Sequence, residues 1–168
     1  MKKLNFMFLL ICFTLCSCNK SGVKQFVGDY TFKTSGFYTI STLTSSFDVD
    51  MTEEIGQLKI IDIDEADRVL VVRNTLNGSV STCYATIEDD KIFFDDMDEN
   101  HNVKALSLSG NSKVTTSAKG VIYGDIIVID ETYSGTFSGT LITDTVLTFI
   151  TGTIGNSDIT TVATRNAD

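Results

Sequence analysis

The sequence contains no proline, no tryptophan and a single histidine, and its basic residues are few: 13 Lys and Arg against 22 Asp and Glu. One histidine and four cysteines leave little for a zinc site or for histidine-based catalysis. A net charge of −9 provides no basic footprint for a nucleic-acid backbone. With no Pro-, Gly- or Ser-rich stretch to act as a linker, the 168 residues read as one domain. Helix-building Ala, Leu, Glu and Lys are thinly spread. Threonine is abundant, at 23 residues, with 11 Phe beside it. Together with Val, Ile and Tyr these side chains fit a pleated surface, so the composition favours an all-β protein.

The strongest local pattern lies at the N-terminus. Met1-Lys2-Lys3 is a short positive start, and Leu4 to Leu15 is a mostly apolar run. That run is shorter than the roughly 20 residues needed to span a bilayer and suits a secretory signal. Leu15-Cys16-Ser17-Cys18-Asn19 follows. It resembles the lipobox of bacterial lipoproteins, whose cysteine is lipidated and becomes the new N-terminus. Cys16 would follow the bulky Leu15, whereas Cys18 follows the small Ser17, so Cys18 is the expected lipidation site. The chain then divides into a signal peptide over 1–17, a lipidated tether over 18–25 and a folded domain over 26–166. The resemblance implies two or three acyl chains, which hold a protein at a membrane without any amphipathic helix. Asn19 stands where an aspartate would retain a lipoprotein at the inner membrane, so the expected location is the outer membrane. Cleavage leaves 151 residues with 22 acids against 11 bases, and Cys83 as the lone thiol, so no intramolecular disulfide can form. Cys83 sits in the strand-like Ser81-Thr82-Cys83-Tyr84-Ala85 without a neighbouring His, and reads as a small core residue.

The remainder reads as strands joined by turns. Phe26, Gly28, Tyr30 and Phe32 share one face of the first, and Val27, Asp29, Thr31 and Lys33 the other. Residues 36–51 give no clear pattern. Further strands are expected over 55–63, 68–73, 79–87, 91–94, 103–108, 113–123, 125–137, 145–154 and 159–164. Polar groups such as Glu88-Asp89-Asp90 and Gly155-Asn156-Ser157-Asp158 separate them. Asn77-Gly78 is the sharpest hairpin signal, predicting a two-residue turn with positive φ at both positions. Strands at hairpin spacing make an antiparallel meander, and pairing the first with the last removes its edges. The long strands over 113–123 and 125–137 suit a tilted, closed barrel of roughly eight strands, with a β-sandwich as the alternative.

Two segments carry a resemblance. Phe26-Val27-Gly28-Asp29-Tyr30 echoes the Gly-x-aromatic opening of calycin barrels, with Tyr30 in place of the usual Trp. Residues 157–166 are similar to that group's final strand, which ends in a basic residue, here Arg165. On these segments the chain resembles the small lipocalin-like, or calycin-like, bacterial lipoproteins. The resemblance implies an eight-stranded barrel with room for a packed core or one small apolar or amphipathic ligand. A one-residue slip would bury Asp29 and Lys33, so Phe26, Tyr30 and Phe32 are expected to point inward, as are Val114, Ala118 and Ile122. Gly28, Ala118 and Gly120 are small where the wall could stand back. The expected ligand site is therefore a modest apolar pocket walled by Tyr30, Phe32, Ala118 and Ile122.

Other chemistry is sparse. Neither Asp62-Ile63-Asp64-Glu65-Ala66-Asp67 nor the run from Asp95 to His101 keeps the glycine and glutamate of a helix-flanked calcium loop. Both read as solvated turns, and Asp95, Asp96 and Asp98 are not assigned a metal. His101 has no second histidine with which to share one. There is no Gly-x-Ser-x-Gly elbow and no phosphate loop with its lysine. The sequence thus points to a non-enzymatic lipoprotein of the cell envelope, without cofactor or nucleic-acid partner. It meets the membrane through its lipid and binds a small hydrophobic molecule in a lipocalin-like barrel. The alternative is a filled barrel that acts by protein or glycan contact.

Overall fold

The computed structural model describes residues 21–105, 107–143 and 146–167; the segment expected as a signal peptide, and Cys18, lie outside the described residues. A short helix, α1 (Ser21–Phe26), precedes ten strands: β1 (Gly28–Ser41), β2 (Ser46–Asp50), β3 (Glu54–Asp62), β4 (Arg68–Thr75), β5 (Val80–Glu88), β6 (Lys91–Phe94), β7 (Met97–Lys104), β8 (Leu108–Tyr123), β9 (Ile126–Thr143) and β10 (Val146–Arg165). Pairing runs β1-β3-β4-β5-β6-β8-β9-β10, and β10 returns to β1, closing an eight-stranded antiparallel barrel. The fold is all-β and a barrel, not a sandwich. β2 and β7 stand outside the circuit. Each extends one wall, β2 along the Phe37–Ser41 half of β1 and β7 along the Ser109–Thr116 half of β8.

The wall is uneven. β1, β8, β9 and β10 are 14 to 20 residues long, while β3 to β6 have nine or fewer. The tall side rises beyond the short side, and β2 and β7 curl it partly around the gap. Two apolar clusters follow. The lower one, around Phe26, Tyr30, Phe32, Leu58, Ile60, Val69, Ile92 and Ile127, fills the closed end. The upper one, around Tyr38, Ile40, Val103, Val114, Tyr133 and Phe137, lines the tall wall.

The first strand has the expected face alternation: Tyr30 and Phe32 are buried, Asp29 and Lys33 exposed. The first and last strands of the domain meet at the closed end. Arg165 lies 4.9 Å over the Tyr30 ring and donates from Nη1 to Val27 O at 2.7 Å and from Nη2 to Tyr30 Oη at 2.6 Å. Tyr30 Oη donates onward to Phe26 O at 2.8 Å. Burial pushes the Tyr30 phenol up, and the Arg165 charge opposes the shift.

Four local expectations need correction. Residues 21–25, expected as tether, belong to α1, whose Val23 and Phe26 are three apart and buried against the barrel end. A helix of six residues is too short to declare itself by periodicity; tertiary contact stabilises it. The Asn77-Gly78 turn is a three-residue loop in which Thr75 N donates to Ser79 O at 2.9 Å and only Gly78, at φ 89°, is left-handed. Residues 155–158 do not separate two strands. They form a bulge within β10, between the pairs Ile154–Gly135 and Ile159–Glu131. Ile154 and Ile159 are five apart yet both buried, which a regular two-residue alternation forbids and one extra residue permits. Gly36 faces this bulge at φ 147°, where a Cβ would lie 2.1 Å from Asp158 O. Finally, the acidic run before and through His101 is not all turn: Met97–Lys104 is β7.

Candidate functional site

At the open end two contiguous cavities occupy the space between β2, β7 and the β4–β5 turn. The outer one, of about 600 Å³, is lined by Tyr38, Val49, Val103, Val114 and Tyr133, with Asp50, Glu53, Glu54, His101 and Lys104 at its polar edge. The inner one, of about 470 Å³, shares Glu54, His101 and Tyr133 and reaches down to Arg73, Met97, Glu99, Thr116 and Glu131.

A closed hydrogen-bond ring forms the floor. Arg73 Nη2 donates to Thr34 Oγ1 at 2.6 Å, the Thr34 and Thr161 hydroxyls bond each other, and Thr161 Oγ1 donates to Glu131 Oε1 at 2.5 Å. Arg73 Nη1 closes the ring on Glu131 Oε1 at 3.2 Å, while Nη2 also reaches Glu54 Oε2 at 2.7 Å. The side chains of Glu131 and Arg73 are 4% and 19% exposed. Charges this buried persist only when paired and hydrogen-bonded, as they are here. Arg73 also lies 4.5 Å over the Phe32 ring, so the ring of polar groups rests directly on the lower core.

Above the floor, β7 contributes Glu99 and His101. His101 Nε2 is 3.1 Å from Glu99 Oε2. This contact with His101 holds the Glu99 carboxyl below its ordinary range despite partial burial. The His101 ring stacks on Tyr133 with centroids 5.9 Å apart, and Tyr133 meets Tyr38 at 5.8 Å. Burial pushes the Tyr133 phenol up, and the charges of Glu131 and Glu99 push it further. Thr116, 3% exposed, leaves its Oγ1 buried without a hydrogen-bond partner.

The residues expected to wall a pocket are not gathered around this space. Tyr30 and Phe32 are fully buried in the lower cluster and line neither cavity; Ile122 packs against that cluster from its rim. Ala118 borders a separate void of about 30 Å³, room for one water. The small residues do not open a lumen either. A Cβ at Gly120 would meet Ile92, Ile127 and Ile129, and one at Gly56 would meet the Phe32 ring at 2.7 Å. Large neighbours already occupy the space those glycines leave. Burial raises the Cys83 thiol to about 11, which leaves it un-ionised at neutral pH. Asp95, Asp96 and Asp98 accept from Arg68, Ser117 and Thr115 respectively, three separate partners on the outer surface.

One signal in the sequence marked this cavity. Arg73 follows Val69 and Val71 on the inward side of β4, and Glu131 follows Ile127 and Ile129 on that of β9. Glu99 and His101 precede Val103 on the inward side of β7. Each polar residue of the site interrupts an apolar face. No protein-family model matches the chain, and no curated protein matches it.

Proposed function

We propose that this protein is a lipid-anchored envelope lipoprotein of the lipocalin-like kind, non-enzymatic, whose barrel holds one small amphipathic molecule at its open end. The observation that carries the reading is the cavity pair over the Arg73–Glu131 ring, apolar on the Tyr38–Val103–Val114 side and polar beneath. Pockets of this size accept small ligands, with a few polar groups fixing orientation. The closed barrel and the meeting of Tyr30 with Arg165 support the lipocalin-like assignment. Cys18 lies three residues before α1, which packs at the closed end. A lipid there leaves the mouth facing away from the membrane.

Labelling with an acyl-chain probe tests the anchor: Cys18→Ala abolishes it and Cys16→Ala does not. Labelling that survives Cys18→Ala overturns the assignment. A solvatochromic hydrophobic dye tests the cavity, with saturable binding at one site per chain expected. A second reading, contact without a ligand, is favoured by the β9–β10 hairpin, where Ile142, Val146, Leu147 and Phe149 stand exposed. Absence of any dye binding would leave that reading in place of the first.

A further inference from the structure

The charge at the open end narrows the kind of molecule that fits. Among the described residues lining the two cavities, Asp50, Glu53, Glu54, Glu99 and Glu131 face Arg73 and Lys104, with His101 the one imidazole. The single guanidinium is committed through both Nη atoms, to Glu54, Glu131 and Thr34, and its buried Nε has no partner. Lys104, exposed at the rim of the outer cavity, is the one ammonium on the lining, so a carboxylate or phosphate that entered as far as the inner cavity would meet an excess of like charge in a partly desolvated site. The chain as a whole adds to the bias at −9.

Two further features are independent of the acidic side chains. Thr116 Oγ1 is buried and without a hydrogen-bond partner on the wall of the inner cavity, as are Arg73 Nε and His101 Nε2; of the three, only the hydroxyl offers lone pairs to an entering N–H donor. Tyr133, stacked with His101 and close to Tyr38, presents aromatic surface beside the carboxylates. Aromatic faces and carboxylates together suit an organic cation. The free hydroxyl acceptor favours one that still carries N–H groups.

We infer that the open end of the barrel binds a primary amine with an apolar body. Its ammonium sits among Glu54, Glu99 and Thr116, and its hydrocarbon lies against Tyr38, Tyr133 and Val103. This rests on the reading of the barrel as a small-molecule carrier and names the ligand's chemical class. An alkyl or aryl ammonium satisfies the orphaned hydroxyl and reduces the excess negative charge. Its apolar part lies along the Tyr38–Val103–Val114 side of the outer cavity.

The test uses the full lipidated chain in non-ionic detergent and three matched probes: 2-phenylethylamine, 2-phenylethanol and 3-phenylpropanoate, titrated by calorimetry. The amine is expected to bind roughly tenfold or more tighter than the alcohol, and the carboxylate more weakly than either. Thr116→Val, which keeps the shape and removes the acceptor, should weaken the amine by about fivefold and leave the alcohol unchanged. Glu99→Gln should do the same. Equal affinity for amine and alcohol, or a preference for the carboxylate, overturns the amine inference while leaving the carrier reading intact. Binding of the hydrophobic dye with no binding of any of the three probes does so too. Failure of the dye as well as the probes overturns the carrier reading itself. Circular dichroism spectra of both folded variants that match the parent confirm that any loss is local.

Discussion

Replacing Arg73 with Met tests the buried ring directly. Methionine keeps a flexible, polarizable chain over the Phe32 ring and removes the charge. Glu131, 4% exposed, then retains only the Thr161 hydroxyl, and Glu54 loses its partner at 2.7 Å. At 3.2 Å the Arg73–Glu131 attraction amounts to about 5 kcal/mol with an effective dielectric of 20. That is a gross figure, because unfolding returns both ions to water. Breaking a buried pair from one side costs about 3–5 kcal/mol, and the adjoining cavity and surviving hydroxyl place this case near 3. For a domain of this size that corresponds to a fall of roughly 6–12 °C in Tm. The double variant Arg73→Met/Glu131→Leu removes both charges and should recover to within about 1 kcal/mol of the parent. Urea denaturation of the four proteins of the cycle measures the coupling. A loss under about 1 kcal/mol for Arg73→Met, or a double variant no more stable than the single, refutes the ring as a coupled unit.

Ala118→Phe places a ring beside a void of only about 30 Å³, so overpacking should destabilise the barrel by about 1–3 kcal/mol and leave dye binding at the open end unaffected. Lost dye binding without lost stability would instead locate the ligand beside Ala118. Gly78→Val forces a β-branched residue to φ 89° in a loop where a Cβ meets nothing, so the cost is backbone strain alone, about 1–3 kcal/mol. An unchanged Tm would show that the loop relaxes freely. The Glu99 carboxyl, held below its ordinary 4.5 by His101, contributes stability that is present above that value and lost as pH falls through the lower folded value. The stability gap between the parent and Glu99→Gln should therefore narrow below pH 4.5 in urea melts, and a gap that widens there contradicts the pairing.

The strands that could be read from sequence were those whose inward residues meet other side chains. On β1, Tyr30 and Phe32 alternate with charged or hydroxyl residues because one face enters the packed lower cluster. β7 alternates just as regularly, with Met97, Glu99, His101 and Val103 facing inward. Its inward face looks onto a cavity, so polarity gives no contrast between the two sides. The far half of β1 and all of β2 were obscure for a related reason: they extend a wall beyond the closed barrel. The β10 bulge was hidden because a positive-φ Asn156 between glycine and serine looks the same locally whether the chain turns back or continues.

The amino-acid sequence alone determined the class of fold and the parity of most strands. Alternation is a local property, and misplacing Asp29 or Lys33 by one residue would bury an unpaired charge. Its excess of acid likewise set the sign of the field at the mouth. Where the cavity lies was decided by the tertiary structure. Strand lengths leave one side of the wall low, α1 and large side chains fill the opposite end, and closure brings Arg73, Glu131, Thr34 and Thr161 together from four strands. No local pattern encodes that meeting, because residues 34 and 161 become neighbours only when β10 closes on β1.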